Sequence, residues 1–63
     1  MDERTANSVF RSNLRLVRGL GWKLIEKGHG WLVNDADDKP VTSVWPSPAL
    51  ALSEAVMFVR FAT

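Results

Sequence analysis

Three tryptophans stand in three consecutive strand-like runs, and their spacing constrains the fold more than any other feature of the chain. Trp22 belongs to GWKLIEK, Trp31 to GWLVND and Trp45 to PVTSVW. Lys27-Gly28-His29-Gly30 joins the first two runs, and Asp35-Ala36-Asp37-Asp38-Lys39-Pro40 joins the second to the third. Glycine supplies positive φ in a tight hairpin, and aspartates bond their own backbone in turns. Both connections therefore read as short reversals between antiparallel strands. The runs predict strands over residues 22–27, 31–35 and 41–45. On strict alternation Trp22, Leu24, Trp31, Val33, Val41 and Trp45 belong to one face of a sheet. Lys23, Ile25, Lys27, Leu32, Thr42 and Val44 belong to the other.

Helices flank this block. Phe10, Leu14 and Val17 follow i, i+4, i+7 spacing, and Val9, Leu16 and Leu20 widen the apolar arc. A helix is predicted from Asn7 or Ser8, either a fitting N-cap, to Gly19, where Gly19 and Gly21 stop it. Ser47-Pro48 has the form of an N-cap followed by proline at the first helical position, which predicts a second helix from Pro48 to Phe61. The expected fold is a single α+β domain over residues 7–63, behind a disordered segment 1–6. Its expected order is α-β-β-β-α, a three-stranded antiparallel sheet with both helices on one face.

Composition narrows the function classes. A chain of 63 residues buries only ~60% of the surface its unfolded form exposes, so its core is thin. There is no cysteine and one histidine, which excludes disulfides, thiolate metal sites and His-rich metal sites. The acidic run 35–38 lacks the glycine and the distal glutamate of a calcium loop. No metal or cofactor is called for. The large aromatic residues, or self-association, must supply the missing stability. No apolar run approaches the ~20 residues that span a bilayer, and the polar start MDERTANS has no signal-peptide core behind it. A cytoplasmic protein without a membrane partner is expected.

Net charge is +1, but the first half is basic and the second acidic. Arg11, Arg15 and Arg18 fall within roughly 60° on the helical wheel. With Lys23 and Lys27 they form a candidate nucleic-acid-binding set, since guanidiniums about one turn apart can grip successive phosphates. The indoles would make a base-stacking platform on an open sheet face, and core if they face the helices; the thin core favours the second. In the second helix Leu50, Met57 and Phe61, spaced i, i+7, i+11, form an apolar stripe apart from the main arc of Ala51, Leu52, Ala55, Val56, Phe58 and Val59. That stripe is a candidate protein interface, for a homodimer or another partner. His29, between two glycines at a hairpin tip, is the one conventional acid–base candidate at neutral pH.

The order helix, GWKLIEKGHG, second strand, PVTSVWP and helix resembles the HicA-type toxins, over roughly residues 13–61. The resemblance implies a double-stranded-RNA-binding-domain-like fold and RNA cleavage. That family's Gly-Ser-His motif opens the second strand and carries the catalytic histidine. Here the letters are Gly28-His29-Gly30, with no serine and the histidine displaced into the turn. On the residues alone no catalytic set is expected, and the resemblance offers His29 as the candidate. Three readings follow. The leading one is a non-enzymatic binding module of regulatory or accessory type that contacts nucleic acid through the basic helix face. The second is a protein-binding inhibitor or homodimeric module of phage or mobile-element type. The third is a HicA-like ribonuclease toxin.

Overall fold

The structure, a computed structural model, describes residues 3–61 and the side chains of residues 8–61. Helix α1 (Glu3–Gly19) leads into strands β1 (Lys23–Lys27) and β2 (Gly30–Asn34), and helix α2 (Pro48–Phe61) closes the chain. The fold is α+β in the order α-β-β-α, with a two-stranded antiparallel sheet. The expected three-stranded sheet does not form, and neither does the α-β-β-β-α order read from the sequence.

The third run lies beside β2 but out of step with it. Trp31 pairs with Trp45 and Asn34 with Pro40, each as an isolated bridge. Three steps along β2 are thus matched by five along the Pro40–Trp45 segment, which leaves two residues over. They bulge around Thr42 and Ser43. Main-chain bonds hold both ends: Trp31 N–H donates to the Trp45 carbonyl at 2.6 Å, Trp45 N–H to that of Trp31 at 2.7 Å, and Val41 N–H to that of Val33 at 2.8 Å. Between them the buried Thr42 hydroxyl stands in for a ladder carbonyl. It accepts from Val33 N–H at 3.1 Å and donates to the Ser43 carbonyl at 2.8 Å. Pro40 has no N–H with which to continue the ladder.

The helices are bounded by local chemistry. α1 opens at Glu3, so Asn7 and Ser8 lie inside it and neither caps it. Residues 1 and 2 of the segment expected to be disordered lie outside the described residues. At the other end Trp22 N–H donates to the Val17 carbonyl and Gly21 N–H to that of Arg18, with Gly21 at φ 79°. This is a Schellman cap, and Gly21 carries it, while Gly19 is still helical. Ser47 caps α2 through its Oγ, which accepts from Ala49 N–H at 3.1 Å. In the hairpin only Gly28 has positive φ, at the first of two loop positions, which is the pattern of a type II′ turn.

The core is small. Val17, Val33, Ala51, Leu52, Ala55 and Val56 are buried together, and Phe10, Leu14, Trp22, Leu24, Trp31 and Trp45 pack around them. α2 contacts both strands, and α1 contacts α2 and β1. Ala51 and Ala55 let α2 approach the sheet closely, while Leu52, fully buried, contributes ~1.5–3 kcal/mol.

Two substitutions test this account of the third segment. Thr42→Val keeps the shape but strands the Val33 N–H, and should lose ~1–3 kcal/mol in urea unfolding. Ser43→Ala, at an exposed neighbour, should stay within ~0.5 kcal/mol of the parent. Equal stabilities for Thr42→Val and the parent would show that the hydroxyl does not complete the ladder. A Cβ on Gly30 would collide with the Trp45 carbonyl oxygen and approach Val44 Cγ1 to 2.8 Å. Gly30→Ala should therefore cost the ~1–3 kcal/mol of an overpacked site and speed exchange of the Trp31 and Trp45 amides. Unchanged exchange at those two amides would contradict the close approach.

Candidate nucleic-acid interface

Arg11, Arg15 and Arg18 are exposed on one side of α1 and, with Leu14, line a shallow groove of ≈ 280 Å³. Leu14 and Arg18 also line a second groove of ≈ 580 Å³, where Trp22, Lys23, Leu24, Ile25 and Trp31 join them. The two grooves adjoin along α1, where Leu14 and Arg18 line both, and the second reaches β1; this adjoining pair is the trench. β1 is the outer strand of the described sheet. Trp31 and Val33 direct their peptide groups to the third segment, so β2 bonds β1 through Gly30, Leu32 and Asn34. By alternation the peptide groups of Leu24 and Glu26 point to the free edge.

The five cations read from the sequence are thus divided. Arg11, Arg15, Arg18 and Lys23 share the trench. Lys27 instead lines a neighbouring depression with Leu32, Thr42, Val44 and Asp38; Ile25 lines both this depression and the trench. Lys23 also pairs with Asp38 at 3.5 Å, both side chains being mostly exposed (62% and 68%), so the pair contributes no more than ~1 kcal/mol. Asp38 itself sits at φ 62° in a turn organised by Asp35, whose Oδ1 accepts from the amides of Asp37 and Lys39. The acidic run is fully accounted for as a turn.

All three indoles are half-buried and pack on the core. They form neither the open-face stacking platform nor a sealed core. Trp22 and Trp31 leave part of their surface in the trench, which alternation alone does not reveal. The available signal was the short step from Arg18 to Trp22, since the Schellman turn must fold Trp22 back beside the last arginine.

On α2, Leu50, Met57 and Phe61 lie on the side away from Ala51, Leu52, Ala55 and Val56, and are 46%, 58% and 77% exposed. Phe58, assigned from periodicity to the buried arc, is 52% exposed, although its ring lies 6.2 Å from that of Trp22. Val9, Leu16 and Leu20 of the α1 arc are exposed as well. His29 is exposed at the hairpin tip and lines none of the three depressions. Among the described residues no group of three or more His, Cys, Asp or Glu is placed to hold a metal. None of the described helices is long and apolar enough to cross a membrane. No family model matches the chain, and no curated protein or solved structure matches it either.

Asp38→Asn removes the partner of Lys23 while keeping a side chain that tolerates left-handed φ. Its unfolding free energy should stay within ~1 kcal/mol of the parent. A larger loss in urea unfolding would mean that the ion pair, and not the Asp35 turn, holds this corner.

Proposed function

We propose that the chain is a small non-enzymatic binding module that holds a single-stranded nucleic acid in the trench between α1 and β1. One observation carries this reading: Arg11, Arg15 and Arg18 line one groove, and Arg18 and Lys23 line the adjoining one together with the half-buried Trp22 and Trp31. Guanidiniums fit phosphate oxygens in a planar fork, and an indole stacks on any base for ~1–3 kcal/mol. The combination suits a strand whose bases are unpaired, because the base faces of a duplex are stacked on one another and out of reach of an indole. Arg11 and Arg18 are seven residues apart, ~10 Å of helix axis. A single copy therefore grips only a few nucleotides, consistent with a net charge of only +1.

Salt dependence tests the reading. Neutralising three or four phosphates of a single strand gives a slope of log K against log salt of about −2 to −3. Arg15→Ala should make that slope shallower by ~0.7. Anisotropy of labelled oligonucleotides, with quenching of tryptophan fluorescence as a second readout, measures both. Absence of binding to single-stranded DNA and RNA at low salt would end the proposal. Tighter binding to duplex than to single strand would remove the role given to Trp22 and Trp31.

A further inference from the structure

We infer, resting on the trench as the binding site, that the Asp38 carboxylate competes with the nucleic acid for Lys23. The acidic turn thereby sets how tightly the trench holds its ligand. Lys23 is the trench cation supplied by β1, and its Nζ lies 3.5 Å from Asp38 Oδ1. Among the described residues no ion pair involves Arg11, Arg15 or Arg18. The end of the trench that carries Trp22 and Trp31 therefore has part of its charge cancelled by the protein itself.

The turn does not need that carboxylate. Asp35 builds it: its Oδ1 accepts from the Asp37 and Lys39 amides at 2.8 and 3.0 Å, and its carbonyl accepts from Asp38 N–H at 3.0 Å. At position 38 the turn requires only a residue that tolerates φ 62°, which asparagine and glycine also do. The Asp38 side chain takes part in none of these bonds, so its charge is left to face Lys23. The bonds on either side of residue 38 meanwhile hold its backbone beside β1. An ammonium is a point charge that meets a carboxylate or a phosphate oxygen alike. A phosphate arriving at Lys23 thus finds a like charge already there. Both side chains are mostly exposed. A pair this open is weak enough for a phosphate to displace, and still costs up to ~5-fold in affinity.

Anisotropy of a labelled single-stranded oligonucleotide across a salt series tests the competition. At ~0.1 M salt, where the Debye length is ~10 Å, Asp38→Asn should bind ~2–5-fold more tightly than the wild type. Its slope of log K against log salt should be steeper by up to ~0.7. Asp38→Gly, which also suits the backbone, should behave in the same way. Asp37→Asn makes the same change of net charge in the same turn and should shift affinity by less than ~2-fold. In a Lys23→Gln background the advantage of Asp38→Asn over Asp37→Asn should vanish. No greater tightening by Asp38→Asn than by Asp37→Asn overturns the inference, because bulk charge is then the whole effect, and leaves the trench reading standing. No binding by the wild type or by any variant overturns the trench reading and the competition with it.

Discussion

The fold depends on the carboxylate of Glu54. From the flank of α2 its Oε1 accepts from the Ser43 amide at 3.1 Å and its Oε2 from the Trp45 indole N–H at 2.6 Å. These bonds tie the irregular Pro40–Trp45 segment to the helix just where the sheet ladder fails. Charge-assisted bonds of this kind are stronger than neutral ones. Without the segment, β1 and β2 would be a two-stranded hairpin held only by its packing against the helices. The Thr42 hydroxyl and the Glu54 carboxylate together do what a regular third strand would have done with main-chain groups. The bulge that requires them also lets Thr42 shelter beside Leu32 on the outer face, where both are buried although neither belongs to the main core.

Core composition explains the surface. α2 meets the sheet through Ala51, Leu52, Ala55 and Val56. Small residues bring the helix axis close, which leaves no room beneath it for Met57, Phe58 or Phe61. The larger apolar side chains are therefore displaced outward as a consequence of how the inner face packs. α1 shows the same economy, with Val17 fully buried and Val9, Leu16 and Leu20 exposed. A core of this size holds only because its edges are well determined, by the Gly21 cap, the Ser47 cap and the Gly28 turn.

Features encoded within a few residues were legible in the sequence. The Ser47-Pro48 start of α2, the end of α1 at its glycines and the Gly28-His29 reversal are local geometries, set by which φ values glycine and proline allow. The paired face of Leu24 and Val33 follows from alternation. The third strand was not legible, because its failure is a matter of register. PVTSVW has a strand's composition, and only the distance between the Trp31–Trp45 and Asn34–Pro40 bridges reveals two residues too many. The start of α1 was missed because Asn7 and Ser8 are good caps that the helix overrides. Of the candidate site, the arginine cluster follows from helical spacing alone. The separation of Lys27 from it, and the entry of Trp22 and Trp31 into the trench, depend on how α1 lies against β1, which no local pattern records.

The basic grooves and the exposed apolar side chains of α2 lie on different elements but are not independent. The grooves are lined by α1 and β1, whereas Leu50, Met57, Phe58 and Phe61 belong to α2. The two meet where the Phe58 ring lies 6.2 Å from that of Trp22. On the proposed reading a single copy would hold only a short stretch of strand through four cations, and its hold would weaken as salt rises. A base stacked on Trp22 would also bear on Phe58, so the aromatic contact ties the exposed side of α2 to the state of the groove.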